Sequence, residues 1–261
     1  MGHERVGFLP KTKKWNDLVK QVGSVYSSDF PVASVAAQTL QNVRKQYEIL
    51  FRDNTVRAVF EFLVAFSRAC RFSDTRNELH NSGISMPEQP TLLSVVRALH
   101  ERMPVHEAAS EYGQLALAAA ADAIGQWHKQ NVTTQLPLFQ PSSEFFESWR
   151  NLGNGSGFCE LSRLYFGKLT ERYLNYFLDR AASTTLPSIQ QREKFQHEIQ
   201  TYVDDVSRHA FETAKITQSF AAGWFTAHTR EGLPDSEQVE GFLAIAFGKL
   251  RDELRREEEA E

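Results

Sequence analysis

Nine prolines divide the chain, at Pro10, Pro31, Pro87, Pro90, Pro104, Pro137, Pro141, Pro187 and Pro234. Each stands where a helix would begin or could not continue, because proline fixes φ and has no N–H to donate. Between them apolar residues recur at i, i+3 and i+4, with almost none of the strict alternation that marks a strand. Punctuation and filling agree. The expectation is an all-α protein, a bundle or array of about eight helices with no sheet.

The first helix is expected from Trp15 to about Val22. Ser28 and Asp29 precede a second, with Pro31 in its first turn and Val35, Leu40, Val43, Tyr47 and Leu50 along it. Asn54 is read as the cap of a third, Thr55 to about Phe72, whose apolar residues wrap more than one face; such a helix belongs at the centre of the body. Ser73–Pro90 is polar and reads as the longest loop. Thr91–Met103 is amphipathic, and Pro104 opens the next helix, with an alanine-rich centre from Leu115 to Ile124 that permits close helix approach. A second loop spans Asn131–Ser143, and Ser142 or Ser143 starts a short helix.

After the glycine-rich stretch Leu152-Gly-Asn-Gly-Ser-Gly157 come three helices, about Phe158–Ser183, a long one near 188–229 with Gly223 its weak point, and Ser236 to the acidic end. The last carries the apolar stripe Val239, Phe242, Leu243, Ala246, Phe247, Leu250 and Leu254. It is expected to pack on its own chain, and the Arg/Glu-rich end beyond it to fray. No internal repeat of fixed period is found. The domain reading is a basic N-terminal arm over 1–14, one all-α domain over 15–255 with a sub-division near 131–157, and an acidic tail over 256–261.

Net charge is only −4 over 261 residues, but it is unevenly spread. Up to Arg76 there are twelve Lys or Arg against seven Asp or Glu, and the remainder is correspondingly acidic. The start of the chain, interrupted by Pro10, has no apolar run of signal-peptide length. The most apolar stretches, Ala58–Phe66 and Leu115–Ile124, are too short to cross a membrane, and Glu61 and Asp122 interrupt them. Cys70 and Cys159 lack any paired Cys or His spacing and read as buried thiols of a reducing compartment. The expected location is cytoplasmic.

No motif forces one chemistry. Gly153-x-Gly155-x-Gly157 before a helix could offer N–H groups to an anion, but it lacks the Lys-Ser/Thr of a P-loop and the strand of a dinucleotide site. Glu-x-x-His and His-Glu-x-x-His are both missing, so no metal and no cofactor is expected. Asp205, His209 and Glu212, with Glu198 and Tyr202 before them, form a helical row more simply read as surface pairing. There is no Gly-x-Ser-x-Gly and no cysteine beside a histidine.

Arg192-Glu-Lys-Phe-Gln-His197 resembles the Arg/His motif of the all-α HEPN ribonucleases, over six residues near the start of a helix. The resemblance implies RNA cleavage with Arg192 and His197 at the scissile phosphate. Arg76-Asn-Glu-Leu-His80 begins in a similar way but is one residue short. A basic face is the broader signal: Lys11, Lys13 and Lys14 beside Trp15, then Arg44, Lys45 and Arg52, and further Arg57, Arg68, Arg71 and Arg76.

These features favour a non-catalytic helical adaptor or accessory subunit that binds a partner protein within a larger assembly. The residues expected to dock are Lys11, Lys13, Lys14, Trp15, Arg44, Lys45 and Arg52. The alternatives are a nucleic-acid-binding helical protein using the same basic region and a HEPN-like ribonuclease. Self-association is compatible with the split charge. No membrane contact is expected.

Overall fold

The computed structural model describes residues 13–26, 31–42, 50–103, 110–132, 142–208 and 215–260. Eleven α-helices and two short 3-10 turns make up the regular structure of these residues, and no strand occurs among them. In chain order they are α1 (Lys13–Ser24), α2 (Val32–Asn42), η1 (Leu50–Arg52), α3 (Asn54–Ala69), α4 (Thr75–Asn81), α5 (Leu92–Arg102) and α6 (Glu111–Asn131). Then follow α7 (Ser142–Ser148), η2 (Arg150–Gly153), α8 (Gly155–Thr185), α9 (Ile189–Arg208), α10 (Lys215–His228) and α11 (Ser236–Ala260).

The all-α expectation holds, with more and shorter helices than the eight anticipated. One addition is α4, inside the stretch expected to be a loop. The Asp74 side chain accepts from Asn77 N and starts this helix. Another difference is the cap of α3, which is Asp53 and not Asn54. Its Oδ1 accepts from the N–H groups of Thr55 and Val56 at 2.9 and 3.0 Å.

Two helices organise the core. Along α3, eleven residues are buried, including Val59, Phe60, Phe62, Leu63 and Phe66, as a helix apolar nearly all round requires. The longest described helix is α8, with 31 residues, and α1, α2, α6, α9, α10 and η2 all pack against it. Against α6 it runs antiparallel, and three polar contacts mark the pairing from end to end: Asn131 with Glu160, Asp122 with Arg172, and Glu111 with Tyr176. The buried Ala116, Ala119, Ala120 and Ala123 lie along α6, where small side chains permit close approach.

The expected long helix near 188–229 is corrected. Arg163 of α8 bonds Asp204 of α9 at 3.3 Å, while Phe158 of α8 stacks on Phe225 of α10 at 4.2 Å. A straight rod would separate positions 204 and 225 by about 31 Å, whereas 163 and 158 are only about 7.5 Å apart along α8. Thus α9 and α10 cannot be one straight helix, and both fold back on α8. Gly223 is no breaking point; it lies within α10.

The stripe of α11 packs as expected. Val239, Phe242, Leu243, Ala246, Phe247 and Leu250 are all buried, and the side chain of Leu254, the last of the stripe, lies outside the described residues. Phe242 lies at the meeting point of Phe60 at 5.1 Å, Phe220 at 5.3 Å and Trp224 at 4.6 Å. The helix continues to Ala260, through the segment expected to fray. Cys70 and Cys159 are both buried, and burial pushes the Cys70 thiol up. No described helix is long and apolar enough to cross a membrane.

Candidate functional site

Of the residues expected to dock a partner, Lys13 opens α1 and is exposed. Lys20, on the same helix, is 81% exposed and only 4.0 Å from Asp17. One face of α1 buries Leu18 and Val22 fully, and the helix rests on α2 and α8. Arg52 is exposed on η1 with its guanidinium 5.3 Å over the Phe51 ring. Lys11, Arg44 and Lys45, and the side chains of Lys14 and Trp15, lie outside the described residues.

The other arginines of the basic region do not extend this face. Arg57 is drawn to Asn54, Glu61 and Glu240. Arg68 donates to Glu78 at 2.8 Å and to the Thr229 carbonyl at 3.2 Å, and it stacks over Phe72. Arg71 donates from Nε to the Gly153 carbonyl at 3.0 Å and from Nη2 to the Thr229 hydroxyl at 3.1 Å, over the Phe225 ring. Burial, and then the Arg68 charge, lower the Arg71 pKa. Together these two arginines tie the end of α3 to η2 and to the carbonyl end of α10, where a cation is favoured. Their charge is spent on the fold.

The glycines before α8 are also structural. A Cβ at Gly153 would stand 2.6 Å from Arg71 N, one at Gly155 2.9 Å from the Ala222 Cβ, and one at Gly157 2.1 Å from the Asn151 carbonyl oxygen. Asn154 already caps the helix, accepting from Gly157 N at 2.8 Å. Close packing, rather than an anion, accounts for Gly153, Gly155 and Gly157.

Arg192 and His197 both lie on α9, roughly 140° apart around its axis. Arg192 Nε donates to the Ser188 carbonyl at 3.3 Å, and His197 is exposed. The helical row fares likewise: Glu198 accepts from the Tyr26 hydroxyl at 2.9 Å and lies 3.6 Å from Lys194, while Asp205 is exposed. His209 and Glu212 lie outside the described residues. No group of three potential metal ligands occurs among the described residues.

Sequence reasoning passed over a pocket of about 320 Å³, lined by Ser73, Asp74, Thr75, Arg76, Phe146, Glu147 and Arg150. The turn after α3 and the start of α4 form one wall, and α7 with η2 the other. Arg150 donates from Nε and Nη2 to Glu147 Oε2 at 3.2 and 2.6 Å, which holds the Glu147 carboxyl below its ordinary value. Arg76 donates through Nη2 to the carbonyls of Pro87 and Glu88. The available signal was Arg76 itself, within the stretch read as the longest loop.

Comparison of the chain with family models, with curated proteins and with solved structures gives no match in any of the three.

Proposed function

We propose that the chain is a non-catalytic helical adaptor, which binds an acidic partner protein within a larger cytosolic assembly through the face that begins at α1. One observation carries this reading: the described basic side chains of the first 76 positions divide into two groups. Arg57, Arg68, Arg71 and Arg76 are engaged by carboxylates, carbonyls or rings of the chain itself. Lys13, Lys20 and Arg52 are exposed, and the contacts of the last two, Asp17 for Lys20 and the Phe51 ring for Arg52, are with near neighbours in sequence. Exposed charges add little to stability, so charges that tie no distant part of the fold together are available for recognition and for steering an oppositely charged partner. Lys11, Lys14 and Trp15 adjoin Lys13 in sequence and belong to the proposed contact.

The test is a native pull-down with the wild type and with a K11E/K13E/K14E variant, reading co-purifying protein by mass spectrometry and nucleic acid by absorbance ratio. The adaptor reading expects a protein partner that the variant loses while its melting temperature stays within a degree or two of wild type. Loss of nucleic acid in place of protein would assign the face to the nucleic-acid alternative. Unchanged capture of both would overturn a docking role for it.

A further inference from the structure

We propose that the pocket between α4 and α7 binds a small zwitterion of the α-amino-acid class, its carboxylate on Arg76 and its ammonium on Asp74. The argument begins with two opposite charges that share one pocket and do not pair. Asp74 and Arg76 are two residues apart and line the same 320 Å³ space, yet no ion pair joins them. Each is held by backbone. Asp74 Oδ1 accepts from Asn77 N at 3.2 Å in capping α4, which leaves Oδ2 unspent. Arg76 gives Nη2 to the carbonyls of Pro87 and Glu88, which leaves Nε and Nη1.

The second pair on the lining behaves oppositely. Arg150 and Glu147 satisfy each other across one turn, through Glu147 Oε2 alone. The four charged groups sum to zero, and one half of them is internally neutralised. A net anion or a net cation therefore gains an attraction on one side and meets a repulsion on the other. A neutral molecule carrying both charges gains on both sides, because it completes the pair that the backbone keeps apart.

The guanidinium is preorganised by its two carbonyls, so it loses little freedom in taking a carboxylate, and charge-assisted bonds of this kind are the strong ones. The small uncovered part of Phe146, 7% exposed, gives the ligand's side chain an apolar contact, and Ser73 is exposed at the same lining. The volume sits at the lower end of the range for small-molecule pockets, which suits a ligand of roughly ten heavy atoms.

The experiment is isothermal titration calorimetry on the full chain with the twenty standard amino acids one at a time, each to 10 mM. The best binder is then repeated as its carboxamide and as its N-acetyl derivative. At least one amino acid is expected to bind, and neither derivative, since each lacks one of the two charges. D74N keeps the cap of α4, because asparagine caps as well as aspartate, but removes the charge. It should weaken binding at least about tenfold, the loss expected for one charge-assisted hydrogen bond. R76Q should do the same. The proposal is overturned if no amino acid binds, if either derivative binds as well as its parent, or if D74N binds like wild type. D74N decides the matter even if R76Q disturbs the Pro87–Glu88 segment.

Discussion

Ser110 Oγ stands 3.5 Å from Asp53 Oδ2, so the caps of two parallel helices share one corner of the molecule. Asp53 starts α3 and Ser110 starts α6, where its Oγ accepts from Gly113 N at 2.9 Å. The carboxylate thereby lies near the positive ends of two helix dipoles at once. Asp53→Ala should cost about 1–2 kcal/mol by urea denaturation, with Asp53→Asn closer to wild type. Equal losses in the two variants would show that charge, rather than capping geometry, is what matters there.

Glycine has opposite roles on α8 and α10. Gly157→Ala would drive a Cβ to 2.1 Å from the Asn151 carbonyl oxygen, so η2 must shift and the melting temperature should fall by several degrees. Gly223 is exposed, with nothing within 4 Å of an added Cβ. Gly223→Ala should therefore stabilise α10, by up to about 1 kcal/mol. A pair of thermal melts checks both signs.

On α11, Phe247 is 2% exposed with its ring 5.3 Å edge-on to Phe166, and Ile245 on the opposite side is 44% exposed. Phe247→Ala should cost about 3–5 kcal/mol in the isolated monomer. Ile245→Ala should be close to neutral. Denaturant midpoints measured at low protein concentration decide between core packing and a docking face: an unchanged midpoint for Phe247→Ala would place the helix wrongly.

His128 stacks on Trp149 at 5.2 Å, and burial pushes its pKa below the ordinary value near 6.5. The unfolded chain then binds this proton more readily than the folded one. Stability from this residue is complete above about pH 6.5 and is lost as pH falls through that value toward the lower folded pKa. Wild type should lose stability between pH 7.5 and 5.5, and His128→Phe, which keeps a ring against Trp149, should lose less. Parallel slopes for the two proteins would refute the assignment.

Much of the fold was legible because a period of 3.6 residues needs only enough turns to declare itself. The stripe from Val239 to Leu250 and the all-round apolar face of α3 both do so. Seven residues of α4 give too few turns, and Asn77, Asn81 and Gly83 read as loop punctuation. The sequence between α9 and α10 carries no proline or glycine, so nothing in it signalled that Asp204 and Phe225 would meet nearby positions of α8. The sign of the N-terminal charge was legible, but its direction was not, because Arg68 and Arg71 reach Thr229 some 160 residues away in sequence. Nor could the two-residue spacing of Asp74 and Arg76 reveal that carbonyls of Pro87 and Glu88 would hold them apart.

The place of α8 also sets an order of events during synthesis. Leu18 and Val22 on α1, made first, bury against a body that includes the far end of α8, where a Cβ on Gly23 would stand 3.3 Å from Thr185. At ribosomal rates of about 5–20 residues per second, that end follows α1 by on the order of ten seconds or more. Through that interval α6 can already pack on α3, and α1 on α2, but the apolar surface that these helices later bury against α8 stays open until the long helix emerges.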